Sequence, residues 1–168
     1  MESIRIVELE SIEPQVESQL AHLLQAVVED GASIGFLPPL TQDEAHSYWS
    51  SVIEPGVKLW VALQGDRVVG TVQLHLAMKK NGLHRAEVAK LMVHPESRRQ
   101  GIAGLLMNHM EQEAKALHRS LLVLDTRAGD PSNDLYKSLG YIEVGAIPNF
   151  ALSASGSLNA TVLYYKQL

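Results

Sequence analysis

A strand and a helix are joined by the stretch Val93-His94-Pro95-Glu96-Ser97-Arg98-Arg99-Gln100-Gly101-Ile102-Ala103-Gly104. The apolar run from Ala86 to Val93 predicts a strand that ends before Pro95. Beyond the turn, apolar residues recur at helical spacing, at Ile102, Leu105, Leu106, Met110 and Leu117. The short apolar run from Leu121 to Leu124 follows. The stretch therefore lies inside a strand, helix, strand crossover, with basic and small residues at its turn.

The composition of this turn predicts an anion site. Free N–H groups in the first helical turn, the helix dipole and the two arginines all favour a negative charge. The small residues let a pyrophosphate approach the backbone closely. Neither a Gly-Lys-Ser/Thr loop nor a Gly-x-Gly-x-x-Gly fingerprint is present. An ordinary helix start with solvated arginines is the alternative, and the residues in question are Arg98, Arg99, Gln100, Gly101, Ile102, Ala103 and Gly104.

The patterns on either side predict the other elements. A strand near residues 4–8 precedes two amphipathic helices, one ending at Gly31 and one opened by the capping box of Thr41 and Glu44. Strands are predicted at 57–63, 68–78, 121–124, 141–146 and 161–166. A helix is predicted at 131–139, capped by Asp130. The last two strands are predicted to be joined by a loop that contains Pro148, Ser153, Ser155 and Gly156. The order indicates an α/β (α+β) fold in a single domain, residues 1–168. Its mixed, largely antiparallel sheet has about seven strands flanked by helices.

Composition excludes several classes of protein. With 168 residues, 46% hydrophobic, the chain is long and apolar enough for one packed domain, and its net charge of −5 disfavours non-specific nucleic-acid binding. No apolar run reaches membrane-spanning length, and the opening residues 1–5 lack a signal peptide's apolar stretch, so we expect a cytoplasmic protein without a membrane partner. The absence of cysteine excludes disulfides, thiolate zinc sites and a cysteine nucleophile. The scattered histidines predict no metal site.

Two motifs resemble those of a known family. Arg98-x-x-Gly101-x-Ala103, after the strand Val88–Val93, is similar to the acyl-CoA signature of the GNAT superfamily of N-acetyltransferases. The run from Asn133 through Tyr136 to Leu139-Gly140-Tyr141 resembles that family's second signature. The predicted element order agrees with the GNAT fold over nearly the whole chain. Within the family, the segments 85–88, 90–93 and 124–129 look most like tabtoxin-resistance acetyltransferases.

The resemblance implies an acetyl-CoA-dependent N-acetyltransferase, a transferase that carries an acetyl group to the primary amine of a small molecule by direct attack in a ternary complex. Backbone groups of Met92 and Val93 would then bind the pantetheine arm and the thioester oxygen, while residues 98–104 hold the pyrophosphate. Tyr136 would be the general acid, because a neutral phenol can donate a proton beside a departing thiolate. Asn133, one helical turn earlier on the same face, would bond to the cofactor, and an ordinary helix-start residue is the alternative.

Two carboxylates are candidates for the base. Glu87 lies in the strand that carries the thioester contacts, and Asp125 ends the neighbouring strand, so both side chains are expected to converge on the amine. Whether Glu87, Asp125 or a water chain takes the proton stays open at this point. Solvated acids at strand ends are the alternative.

Other functions remain open from the sequence. A non-catalytic module that senses acyl-CoA or binds a partner needs neither Tyr136 nor the carboxylates. Exposed strand edges also allow a homodimer. The resemblance to tabtoxin-resistance enzymes implies an acceptor that is a small amino-acid-like molecule, such as an antimetabolite or antibiotic.

Overall fold

The computed structural model describes residues 2–168, so Met1 of the opening segment lies outside the described residues. Four α-helices and seven strands follow one another in the described part of the chain. They are β1 (Ile4–Glu8), α1 (Pro14–Glu29), α2 (Gln42–Ser50), β2 (Val57–Gln64), β3 (Arg67–Leu76), β4 (Arg85–Val93), α3 (Ile102–Ala116), β5 (Leu121–Arg127), α4 (Ser132–Ser138), β6 (Ile142–Leu152) and β7 (Leu158–Gln167).

All seven strands form one sheet in the order β1-β2-β3-β4-β5-β7-β6. Every neighbouring pair is antiparallel except β4 and β5, which α3 connects as a parallel crossover. The predicted mixed, largely antiparallel sheet flanked by helices is confirmed. Among residues 2–168, no helix combines the length and the apolar composition needed to cross a bilayer.

The two faces of the sheet carry separate cores. Side chains alternate between faces along a strand, so Trp60 belongs to the core under α3 and α4, while its neighbours Leu59 and Val61 belong to the core under α1 and α2. The core under α3 and α4 also holds Tyr136, Tyr141 and other buried apolar residues. The sheet is thus covered on both faces at its centre.

Local signals position the helix ends. Thr41 and Glu44 form the predicted capping box, with distances of 3.1 Å from Glu44 N to Thr41 Oγ1 and 3.0 Å from Thr41 N to Glu44 Oε2. The prediction that Asp130 caps α4 is wrong. Helix α4 begins at Ser132, and Asp130 Oδ1 instead accepts a hydrogen bond from Arg127 Nε at 3.0 Å.

The loop between the last two strands is shorter than predicted: Ser153, Ser155 and Gly156 lie in it, but Pro148 does not. Strand β6 continues to Leu152 and β7 begins at Leu158, so only a short turn separates them. Pro148 lies within β6, where the register with β7 shifts between Ile147 and Ala151. A proline, which has no N–H to donate, is tolerated there because β6 is an edge strand and the ladder is interrupted at that point.

Candidate active site

The centre of the sheet opens between its two parallel strands. Strands β4 and β5 pair only through Arg85–Glu87 and Leu121–Val123, and beyond these residues they diverge. The gap is a cleft of about 740 Å³. Of the residues predicted for the site, the cleft is lined by Glu87, Met92, Val93, Arg98, Arg99, Gly101, Ile102, Ala103, Gly104, Asp125 and Tyr136. The sequence thus identified both walls and the mouth of the cleft.

A bulge in β4 changes which face of the sheet its residues point to. Gln73 pairs with Ala89 and Thr71 with Met92, so Lys90 and Leu91 together stand opposite one residue of β3. Lys90 has φ of +55°. The extra residue reverses the alternation, because Val88 packs under α3 whereas Met92 packs under α1. The bulge therefore interrupts regular pairing at the point where β4 lines the cleft.

The turn before α3 shapes the mouth of the cleft. Arg99 and Gly101 both have left-handed backbones, with φ of +61° and +74°. A Cβ built on Gly101 or on Gly104 would meet no atom within 4 Å. Open space therefore lies directly over the backbone at the start of a 15-residue helix, as an anion site requires. Gln100, which the sequence included in this turn, is not among the residues that line the cleft.

The two arginines of this turn differ in their surroundings. Arg98 pairs with Asp30, at the end of α1, through a contact of 2.5 Å. Within the part of the chain that the structure describes, Arg99 makes neither an ion pair nor a side-chain hydrogen bond. Both side chains are exposed. An anion at the turn would find Arg99 free and Arg98 shared with Asp30.

The ring of Tyr136 lies in the wall of the cleft. The residue is only 7% exposed, and its ring packs against Tyr141 and Tyr164, with centroids 5.8 and 6.1 Å away. Burial, and secondarily the negative charge of Asp125, raises the pKa of Tyr136 to about 12. No described residue hydrogen-bonds to its hydroxyl. Tyr136 is therefore a neutral phenol at ordinary pH, with its proton available to a group in the cleft.

Asn133, for which the sequence predicts a cofactor contact, is not among the residues that line the cleft. Its Nδ2 donates to the carbonyl oxygens of Arg127 and Asp130, at 2.9 Å each, and its Oδ1 accepts from the Tyr164 hydroxyl at 2.7 Å. These three bonds use both amide hydrogens and one lone pair of the amide oxygen. Asn133 fixes the start of α4, and so positions the helix that carries Tyr136.

The two predicted carboxylates line the same cleft but differ in their hydrogen bonding. Thr161 Oγ1 donates to Asp125 Oδ2 at 2.7 Å, which fixes the orientation of that carboxylate. The Glu87 carboxylate has no hydrogen-bond partner among residues 2–168, and Glu87 is exposed, as is Asp125. The arrangement provides one positioned and one unrestrained acid on opposite walls.

Sequence reasoning missed two basic residues of the site. Arg127 donates to Gly31 O at 2.9 Å, Asp130 Oδ1 at 3.0 Å and Ser153 Oγ at 3.2 Å, and so ties three loops together beside the cleft. Its position after Asp125 at the end of a strand was the available signal. Lys90 also lines the cleft, and only its bulge conformation reveals this.

One protein family matches most of this chain. A model of the Acetyltransferase (GNAT) family matches residues 20–141. The chain belongs to this family. The matched range runs from α1 to Tyr141, and so includes the bulged strand, the turn before α3 and the α4 segment that frame the cleft of this GNAT protein.

Solved structures agree on the fold. The GNAT-family acetyltransferase from Streptococcus pneumoniae is similar, with a TM-score of 0.80, 17% identity, and coverage of 99% of this chain and 100% of that chain. Ribosomal-protein-alanine N-acetyltransferase from Brucella melitensis has a TM-score of 0.80, 21% identity and coverage of 99% of both chains. Aminoglycoside 6'-N-acetyltransferase complexed with coenzyme A has a TM-score of 0.77, 20% identity and coverage of 97% and 96%. At these identities the likeness establishes the GNAT fold, and the substrates in the names of the last two proteins, a ribosomal-protein alanine and an aminoglycoside, are different.

Proposed function

We propose that this GNAT protein is an acetyl-CoA-dependent N-acetyltransferase whose acceptor is the primary amine of a small molecule. The observation that carries the proposal is the cleft between β4 and β5, which has a turn with open space over its backbone at its mouth and a neutral phenol in its wall. The coenzyme A in the aminoglycoside acetyltransferase structure supports the choice of co-substrate. The continuous sheet from β1 to β7 supports one domain for the whole chain.

The residues present fit acetyl-CoA. The turn of residues 98–104 would hold its pyrophosphate, because backbone N–H groups, Arg99 and the open space over Gly101 and Gly104 all favour phosphate there. Backbone groups of Met92 and Val93 would bind the pantetheine arm where β4 no longer pairs with β5. Acetyl-CoA supplies the activated acetyl group as a thioester.

The chemistry assigned to the side chains is a direct transfer. Glu87 or Asp125 first accepts a proton from the ammonium form of the acceptor, which leaves a neutral amine. The amine nitrogen would then form a bond to the thioester carbon while the carbon–sulfur bond breaks, and the nitrogen would lose its second proton to solvent. The thiolate would leave with a hydrogen bond from the Tyr136 hydroxyl and take its proton from solvent. No covalent acyl-enzyme is needed, since the chain has no cysteine and the amine reaches the thioester directly.

Removal of either carboxylate charge is expected to impair amine activation. We expect Glu87→Gln to lower kcat by about 10²-fold, the lower end for a lost acid-base group. We expect Asp125→Asn chiefly to raise KM for the amine, because its carboxylate is held by Thr161 and its charge attracts the ammonium form. Steady-state kinetics with each variant measures kcat and KM for the amine separately. Glu96→Gln is the control, because Glu96 is an exposed acid outside the cleft. Full activity in both variants would remove the pair from the mechanism.

The finer resemblance to tabtoxin-resistance acetyltransferases supports a small amino-acid-like acceptor. The direct test is a screen of amino acids, aminoglycosides, polyamines and lysine-bearing peptides with acetyl-CoA, followed through the release of free thiol. We expect small amines to be acetylated, and a preference for peptides of more than about tenfold would contradict the proposal. Calorimetry separates the other outcomes: acetyl-CoA binding without any turnover indicates a sensor, and no binding indicates a partner-binding module.

We also propose a homodimer formed through β6. Exposed apolar side chains cluster on this edge strand and the start of β7, and Glu143 is the one charged residue in the range 142–158. The exposed side chains of this cluster offer roughly 600 Å² of accessible surface per copy. A dimer would therefore bury about 1,200 Å² in total, the lower end for specific interfaces. An edge strand is self-complementary about a two-fold axis, which favours a second copy. The cluster is Ile142, Val144, Ile147, Phe150, Leu152 and Leu158.

Val144→Glu is expected to convert this dimer to a monomer, because it places a charge in the apolar cluster. Light scattering coupled to size exclusion measures the mass. Leu83→Glu is the matched control, since Leu83 is an exposed leucine outside the β6 cluster. A monomeric parent protein, or a dimer that survives Val144→Glu, would contradict the proposed interface.

A further inference from the structure

Lys90 has an unusual backbone for its residue type. Its φ of +55° lies in the left-handed region, which costs a residue with a side chain about 1 kcal/mol or more. The conformation belongs to the β4 bulge, where Lys90 and Leu91 share one partner on β3. Bulges re-aim side chains next to functional sites. Here the bulge accompanies a lysine in the wall of the cleft.

The surroundings of the Lys90 ammonium are only partly polar. The Nζ atom lies beside Gly35, since a Cβ built on that glycine would stand only 3.2 Å from it. Nζ also lies 6.0 Å from the centroid of the Phe36 ring. Burial lowers the pKa of Lys90, and the negative charges of Asp125 and then Glu87 act in the opposite direction. Among residues 2–168, no carboxylate oxygen lies within 4.0 Å of this ammonium. A ligand anion in the cleft could therefore make a charge-assisted contact with this ammonium.

We propose that Lys90 binds a carboxylate carried by the acceptor, and that the acceptor is therefore a zwitterionic amino acid. This inference rests on the proposed acetyltransferase function. Lys90 attracts the acid group of such a molecule, while Glu87 and Asp125 attract its ammonium group. The cleft thus presents both signs of charge to one small ligand, an arrangement that discriminates against simple amines and polyamines.

Two other roles for Lys90 make different predictions. If Lys90 bound the phosphates of acetyl-CoA, its loss would weaken acetyl-CoA affinity. Lys90 lies three residues before Val93, roughly 10 Å along the strand from the residue that leads into the phosphate turn. If Lys90 only balanced the charge of Glu87 and Asp125, its loss would affect all acceptors equally.

The first experiment compares each of the common amino acids with its carboxamide as an acceptor, using acetyl-CoA and the free-thiol readout. In the parent protein we expect kcat/KM for the best free acid to exceed that for its amide by about tenfold or more, as charge-assisted contacts predict. Lys90→Met should lose this preference and Lys90→Arg should keep part of it. Lys80→Met is the control, because Lys80 is exposed and outside the cleft.

The second experiment measures binding without turnover. Ligand-detected NMR follows the same amino acids and amides with parent, Lys90→Met and Lys80→Met proteins, and calorimetry follows acetyl-CoA. We expect selective acid binding to disappear only in Lys90→Met and acetyl-CoA affinity to stay within about twofold. Equal treatment of acids and amides by the parent protein in both assays would overturn the inference, as would weakened acetyl-CoA binding in Lys90→Met. Lys90-dependent acid binding without acetyl transfer to any amine would keep this subsite and refute the proposed reaction instead.

Discussion

Tyr136→Phe is expected to lower kcat by about 10² to 10⁴-fold while acetyl-CoA affinity stays unchanged. Phenylalanine keeps the ring, and so keeps its packing against Tyr141 and Tyr164, but it removes the hydroxyl that no described residue engages. Any loss of rate therefore reports the missing donor at the departing sulfur. Single-turnover measurement of thiol release, under conditions where chemistry limits the rate, tests this directly.

The pKa of about 12 for Tyr136 sets the form of its contribution. A thiol has a pKa of about 8.5, so complete transfer of the phenolic proton to the sulfur is uphill, and the phenol acts mainly as a hydrogen-bond donor. We therefore expect the loss to lie near 10²-fold. Because a raised pKa keeps the phenol protonated below about pH 11, the ratio of parent to variant rates should be constant from pH 6 to 9.

Tyr141→Phe is the control for this substitution. Tyr141 is another buried tyrosine of the same cluster, and it does not line the cleft. Its kcat should match that of the parent protein. If Tyr136→Phe also retained the parental kcat in a rate-limiting chemical step, Tyr136 would have no part in the reaction.

The fold was predictable because its signals are local. Helical spacing from Ile102 to Leu117, the capping box at Thr41 and the turn-separated apolar runs each fix one element, and the element order restricts the topology. The last hairpin was the exception. Pro148 indicated a loop, whereas the edge position of β6 let a strand continue past a residue without an N–H.

The lining of the cleft was predictable at the turn from Arg98 to Gly104, because the strand end, the glycines and the helix start are adjacent in the sequence. Side chains that depend on contacts distant in sequence were not. Asn133 was predicted to bond to the cofactor because it lies close to Tyr136 in the sequence, whereas its Oδ1 accepts a hydrogen bond from the hydroxyl of Tyr164, 31 residues away. From the sequence, Lys90 is expected to follow the regular alternation of a strand, and only the bulge in β4 changes this expectation. Nothing in a single strand's composition reveals the register of its neighbour.

Gly104→Glu is expected to change stability and acetyl-CoA affinity in opposite directions. Gly104 is the third residue of α3, and a Cβ there would meet no protein atom within 4 Å. Glutamate is a better helix former than glycine by about 0.5 kcal/mol, and a negative charge in the first turn interacts favourably with the helix dipole. The thermal midpoint of the free protein should therefore rise. Acetyl-CoA affinity should fall by about 10²-fold, since the new side chain adds bulk and like charge where the pyrophosphate would lie.

Asn108→Glu separates this local effect from the added charge. Asn108 is exposed on the same helix, one turn further on, and does not line the cleft, so its replacement adds the same charge without entering the phosphate turn. Calorimetry should give parental acetyl-CoA affinity for Asn108→Glu. Gly101→Glu would be a less clear test, because φ of +74° at Gly101 makes any side chain strained and confuses folding with binding. A more stable Gly104→Glu protein that bound acetyl-CoA as tightly as the parent would mean that the phosphates lie elsewhere, and that the arginines of the turn are ordinary solvated side chains.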